Sequence, residues 1–239
     1  LASLPFIPLV AAGKPSTYGA SAYAYDPVGT RHSHKTEAAD PVPLSAMMRS
    51  SKFLLISLAV FITGFADQAI TQLTKTYLQL DIGYSGMVAA SMISAILAIS
   101  IIFRVVFGWL YDRYSLSGVA FCLAVSAISI LSCLTLFGPL TLTLFVLLRG
   151  AAHGGRVIQV PLLAKHVFGD QHLPKFIGIF TSIYSLGMAI GPFFSGLLFD
   201  LQGTYLWVFL ICAAAQIVAI TAVLAVQTQL KQEVAEAKQ

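Results

Sequence analysis

Tyr114–Leu148 reads YSLSGVAFCLAVSAISILSCLTLFGPLTLTLFVLL, without one charged side chain. At 1.5 Å per residue these about 35 residues would make a helix of roughly 52 Å, too long to cross about 30 Å of hydrocarbon once. The segment has to turn back, and Gly138-Pro139 is where a helix stops most readily. This gives a hairpin of two spans, about Ser117–Phe137 and Leu140–Leu163. Comparable runs lie on both sides: Phe53–Leu73 and Ser85–Phe103 before it, Phe176–Phe199 and Thr204–Val226 after it. The fold class expected is therefore all-α and integral to a membrane, with six transmembrane helices joined by short connections.

Composition points the same way. Of 239 residues 57% are hydrophobic and 10% charged, where a soluble domain carries about 25% charge, and the mean hydropathy is +0.83. Disorder is excluded, and a water-soluble fold could not hide so much apolar surface. The net charge of +4 is too small and too scattered for a nucleic-acid partner. Cys122, Cys133 and Cys212 all sit in apolar runs without ligand spacing, so they read as buried thiols; no metal and no cofactor are expected. Leu1–Ala12 is apolar but too short to span and reads as the end of an earlier, truncated helix. Residues 13–46 are rich in Gly, Pro, Ser and charge and read as a flexible cytoplasmic linker. Residues 47–230 form the bundle and 231–239 a tail.

Alternate connections fall on opposite sides of the bilayer. Arg49 and Lys52 precede the first span, Arg104 and Arg113 follow the second, Lys165 and Lys175 the fourth, and Lys231 and Lys238 the sixth. The other side holds only Lys75. By the positive-inside rule both termini are cytoplasmic.

Two connections and one span carry recognisable patterns. After the second span comes Arg104-Val-Val-Phe-Gly108-Trp-Leu-Tyr-Asp112-Arg113. Its Gly allows helix ends to approach, and its carboxylate can cap a neighbouring helix and pair with Arg104 or Arg113. The fifth span contains Gly187-Met-Ala-Ile-Gly191-Pro192-Phe-Phe-Ser-Gly196, a small-residue packing face with a proline that loosens the helix. The first pattern resembles the cytoplasmic G-x-L-x-D-R loop of the major facilitator superfamily, without the basic pair that follows it in that family. The second is similar to the family's G-x-x-x-G-P-x-x-G signature. Gly83-Tyr84-Ser85 and the turn Phe199–Tyr205 are similar to the monocarboxylate and oxalate:formate type members. The resemblance implies the carboxy-terminal half of a twelve-helix transporter, built from inverted three-helix repeats, with substrate between two bundles and an amino-terminal half as partner. It also implies a conformational gate at Gly108, Asp112, Arg113 and Arg104.

Ionisable groups inside a membrane are costly and usually functional. The fourth span reads Leu148-Arg149-Gly-Ala-Ala-His153-Gly-Gly-Arg156. At 100° per residue His153 and Arg156 lie about 40° and 20° either side of Arg149, on one face near mid-membrane. A basic face suits an anion, since a guanidinium can hold a carboxylate through two hydrogen bonds, and His153 can carry a coupling proton. Asp67 in the first span, with Gln68 adjoining, is the counter-charge or proton carrier; Arg149 and Asp67 could equally form a purely structural pair. The expected function is secondary active transport of a small organic anion, a mono- or dicarboxylate, coupled to protons or to exchange. Two other readings compete: an inactive half or interaction module, and an intramembrane serine protease like the rhomboids, in which Ser85 of Gly83-Tyr-Ser-Gly86 would be nucleophile and His153 base. His32, His34, His166 and His172 read as solvated.

Overall fold

Serine, glycine and proline at the connections start and stop the helices. In the computed structural model, which describes residues 47–135, 138–169 and 173–236, six helices follow one another: α1 (Ser51–Leu80), α2 (Gly86–Tyr114), α3 (Leu116–Ser132), α4 (Pro139–Phe168), α5 (Leu173–Gln202) and α6 (Leu206–Glu236). The Ser50 hydroxyl accepts the Phe53 N–H at 3.2 Å and opens α1. The Ser85 hydroxyl does the same for Val88 at 3.4 Å and opens α2. Gly138 precedes α4 with Pro139 at its first position, and the Gly138 N–H bonds the Thr141 hydroxyl at 3.2 Å. α1, α2, α5 and α6 are long and apolar enough to cross a membrane. α3 has 17 residues, and α4 carries Arg149 and Arg156 in its middle.

The helices outrun the apolar spans, because hydrocarbon thickness limits the apolar run while the hydrogen-bond ladder continues until a cap ends it. α2 therefore carries Arg104 through Arg113 within its final turns, where a loop was expected, and Ser115 alone links it to α3. Ser115 has φ 48, the left-handed region, and its N–H returns to the Tyr111 carbonyl at 2.8 Å. α3 stops short of the expected Phe137, closing with a 3-10 turn at Cys133–Thr135. α6 runs through Glu236 into the stretch expected as a tail, with Glu233 paired to Lys52 of α1. Leu1–Ala12, the linker to residue 46, and His172 lie outside the described residues.

Helix pairing is two-fold. α1 lies along α5 and α4 along α2; α6 packs on α1 as α3 packs on α4; α3 and α6 meet each other. Exchanging the first three helices for the last three maps each pair onto another, the arrangement of three-helix repeats. Both long pairs depend on glycine. A Cβ on Gly187 or Gly191 would strike the Phe61 or Phe65 carbonyl of α1, and one on Gly64 the Tyr184 carbonyl of α5. In the other pair, a Cβ on Gly154 would come within 2.6 Å of the Ser100 carbonyl and one on Gly150 within 3.1 Å of the Ile96 carbonyl. Gly196 has open space around it: five residues beyond Gly191, it is turned about 140° away from the packing face. Pro192 lies within the continuous helix α5.

Two apolar clusters fill the bundle. One gathers Phe53, Phe176 and Phe180, the other Phe145, Tyr205 and Phe209. Along α1 they meet near Asp67, along α4 near Arg149.

Candidate functional site

Asp67, Arg149 and Arg156 are 3%, 2% and 3% exposed, and they are brought together from α1 and α4. Arg149 Nη2 donates to Asp67 Oδ1 at 2.8 Å, to the Asp67 backbone carbonyl at 2.8 Å and to Thr71 Oγ1 at 2.9 Å. Arg156 Nη2 lies 2.7 Å from the same Oδ1. The other carboxylate oxygen faces His153 Nδ1 at 3.6 Å and accepts the Tyr184 hydroxyl of α5 at 3.2 Å. Thr71 gives its own proton to the Asp67 carbonyl at 2.7 Å. One carboxylate thus serves two guanidinium groups. Arg149 Nη1 and Arg156 Nε and Nη1 are buried without a hydrogen-bond partner among the described residues.

Among the described residues the charge does not balance. An unpaired ion taken out of water is strongly disfavoured, so a second negative charge would relieve the excess guanidinium. The site is open at one edge, where the His153 side chain is 26% exposed.

Four of the five side chains expected to meet a substrate are therefore neighbours: Asp67, Arg149, His153 and Arg156. Gln68 is not among them; it is half-buried one position round the helix, and its side chain makes no hydrogen bond among the described residues. Tyr184 was not expected. The available signal was its position three residues before Gly187, on the α5 face that packs against α1.

At the other end of α2 the expected ion pairs do not form. Arg104, Asp112 and Arg113 are exposed, with no salt bridge among the described residues, and Asp112 does not cap α3, whose N-cap Ser115 instead lies 3.1 Å from His166 Nε2. A Cβ on Gly108 would meet only Ile158 Cδ1, at 3.9 Å, so no close helix contact depends on it within this bundle. Helix geometry explains this: Arg104, Asp112 and Arg113 project outward from α2, while Phe107 and Tyr111 point inward, the latter donating to the Gly155 carbonyl at 3.1 Å. Ser85 is the cap of α2, and no hydrogen bond joins it to His153 among the described residues. Cys122, Cys133 and Cys212 are buried and unbridged, and no group of three or more metal-binding side chains occurs among the described residues.

The family described as Major Facilitator Superfamily matches residues 16–154 and, in an overlapping alignment, 56–238. Monocarboxylate transporter 12-B of Danio rerio is 29% identical over 143 residues, covering 58% of this chain and 30% of that protein. Monocarboxylate transporter 12 of Homo sapiens is 25% identical over 172 residues, covering 70% of this chain and 33% of that protein. The matched part of the chain spans about a third of the length of these curated relatives.

Proposed function

The chain belongs to the Major Facilitator Superfamily, and we propose that its six helices form one bundle of a secondary transporter that binds a small organic anion at the Asp67–Arg149–Arg156 cluster. The observation that carries this reading is the charge count: two buried guanidinium groups against one carboxylate. A bound anion would offset the excess, and the printed names of the relatives favour a monocarboxylate. His153, beside the carboxylate and partly exposed, is suited to carry a coupling proton.

Alternating access requires two bodies rocking about a central site. The relatives are about twice as long as this chain, which supports a second six-helix bundle as partner. Exposed apolar side chains on α2 and α5, such as Val105 and Phe193, would suit that contact. Arg104, Asp112 and Arg113, which form no salt bridge among the described residues, are available to hold the second bundle in one state and release it in the other. Both termini face the cytoplasm in this reading, as the distribution of basic residues favours.

The test is uptake of radiolabelled monocarboxylates by the protein reconstituted with its second bundle. Arg149→Lys keeps the charge but loses the planar fork and should raise KM about tenfold or more. Unchanged uptake would reject the substrate role. In intact cells, an impermeant thiol reagent should modify a cysteine placed at position 75 and spare one at position 113; the reverse pattern would invert the topology.

A further inference from the structure

We infer that the anion's carboxylate head sits in a small pocket between α1, α2 and α4, held by the part of Arg149 that Asp67 does not use, and that this pocket limits the head's size. The inference rests on the anion reading above and adds where the anion lies and how large its head is. Thr71 and Thr74 of α1, Ile93, Ile96 and Leu97 of α2, and Arg149 with His153 of α4 enclose about 40 Å³. A water-sized group needs about 10–15 Å³ of such space, so there is room for about three heavy atoms. A carboxylate has three: one carbon and two oxygens.

The donors are arranged for it. All three hydrogen bonds from Arg149 to α1 leave from Nη2, and its Nη1 has no hydrogen-bond partner among the described residues. The two threonine hydroxyls give their protons to the Asp67 and Ile70 carbonyls, at 2.7 and 2.6 Å. The free N–H groups at the pocket therefore belong to Arg149 and the His153 ring, which favours an acceptor-only anionic head over a neutral amide or alcohol. Ile93, Ile96 and Leu97 supply an apolar wall with no hydrogen bond to offer a third oxygen or a bulkier head. Leu97 is 50% exposed, so the pocket opens beside it and the remainder of the ligand lies outside. Asp67 stays on Arg149 throughout. It positions the guanidinium and is not displaced by the ligand.

Thermal unfolding of the 239-residue chain in detergent, titrated with sodium formate, acetate or methanesulfonate at constant ionic strength, tests this. A ligand that binds only the folded state raises the midpoint, and its concentration dependence gives an apparent Kd. Formate and acetate should bind at least about tenfold more tightly than the bulkier tetrahedral sulfonate, the discrimination one excess group commonly brings in a tight site. Ile93→Ala, or Leu97→Ala if that variant is poorly folded, should bring sulfonate to within about threefold of formate by removing wall volume. Neither position touches the ion pairs. If Arg149→Lys abolishes the formate effect while both alanine variants keep the full preference, anions bind at the cluster but not in this pocket, and the inference falls alone. If formate shifts wild type and Arg149→Lys equally, the anion reading falls with it.

Discussion

α5 on α1 and α2 on α4 are the same packing solution used twice, and they differ in what they hold. In the first pair Gly64, Gly187 and Gly191 let two backbones touch; in the second Gly150 and Gly154 do so. The charges follow no such symmetry. The carboxylate and the tyrosine hydroxyl come from the α1–α5 pair, both guanidinium groups and the histidine from α4. A repeated scaffold thus carries complementary chemistry on its two helix pairs, and the ion pairs join them at α1 and α4, which make few other contacts. Backbone approach is generic and can be duplicated; charge has to be divided, because two copies of either half would leave like charges buried together.

The largest effect should come from the single carboxylate. Asp67→Asn leaves two buried guanidinium groups without a counter-ion and should cost about 3–5 kcal/mol, read as a lowered unfolding midpoint in detergent. Arg149→Gln or Arg156→Gln leaves a one-to-one pair and should cost clearly less. Equal losses from all three would undo the charge count.

Next come the glycines. Gly187→Ala and Gly154→Ala should each cost about 1–3 kcal/mol, since the added methyl meets a backbone carbonyl that cannot retreat without parting the helices. Similar values would support equivalence of the two pairs; a large inequality would make one of them incidental. Gly196→Ala, in open space, should be neutral or stabilising by up to about 1 kcal/mol. Tyr184→Phe removes one hydrogen bond to Asp67 and should cost about 1 kcal/mol. The smallest change in stability belongs to Asp112→Asn, which has no salt bridge among the described residues and should leave the unfolding midpoint where it was. Under the proposed gating role the same substitution should still slow transport, so unaltered rates would reduce the end of α2 to a connector.

That these four charged or titratable side chains meet was legible from two facts: the angular positions of Arg149, His153 and Arg156 on one helix, and the scarcity of other ionisable groups in the spans. Gln68 illustrates the limit. Proximity in sequence placed it beside Asp67, but one residue turns a helix by about 100°, enough to leave the cluster. Tyr184 illustrates the converse, since it is about 117 positions from Asp67 and reaches it only because α5 is pressed against α1 by glycine. The ion pairs expected around Asp112 failed for a related reason. The segment read as a loop is helix, and helical spacing directs those side chains outward.

By itself the sequence determined the solvent, the number of helices and the location of charge, because these depend on local quantities: the length of apolar runs, breaker residues, and periodicity along one helix. Only the tertiary structure decided which helices are neighbours, that one carboxylate answers to two guanidinium groups, and which of their N–H donors remain free. Those depend on how six nearly uniform apolar surfaces choose among one another. In a bilayer that choice is made by shape, at a few glycines and one ionic cluster, and hydrophobicity along the chain does not encode it.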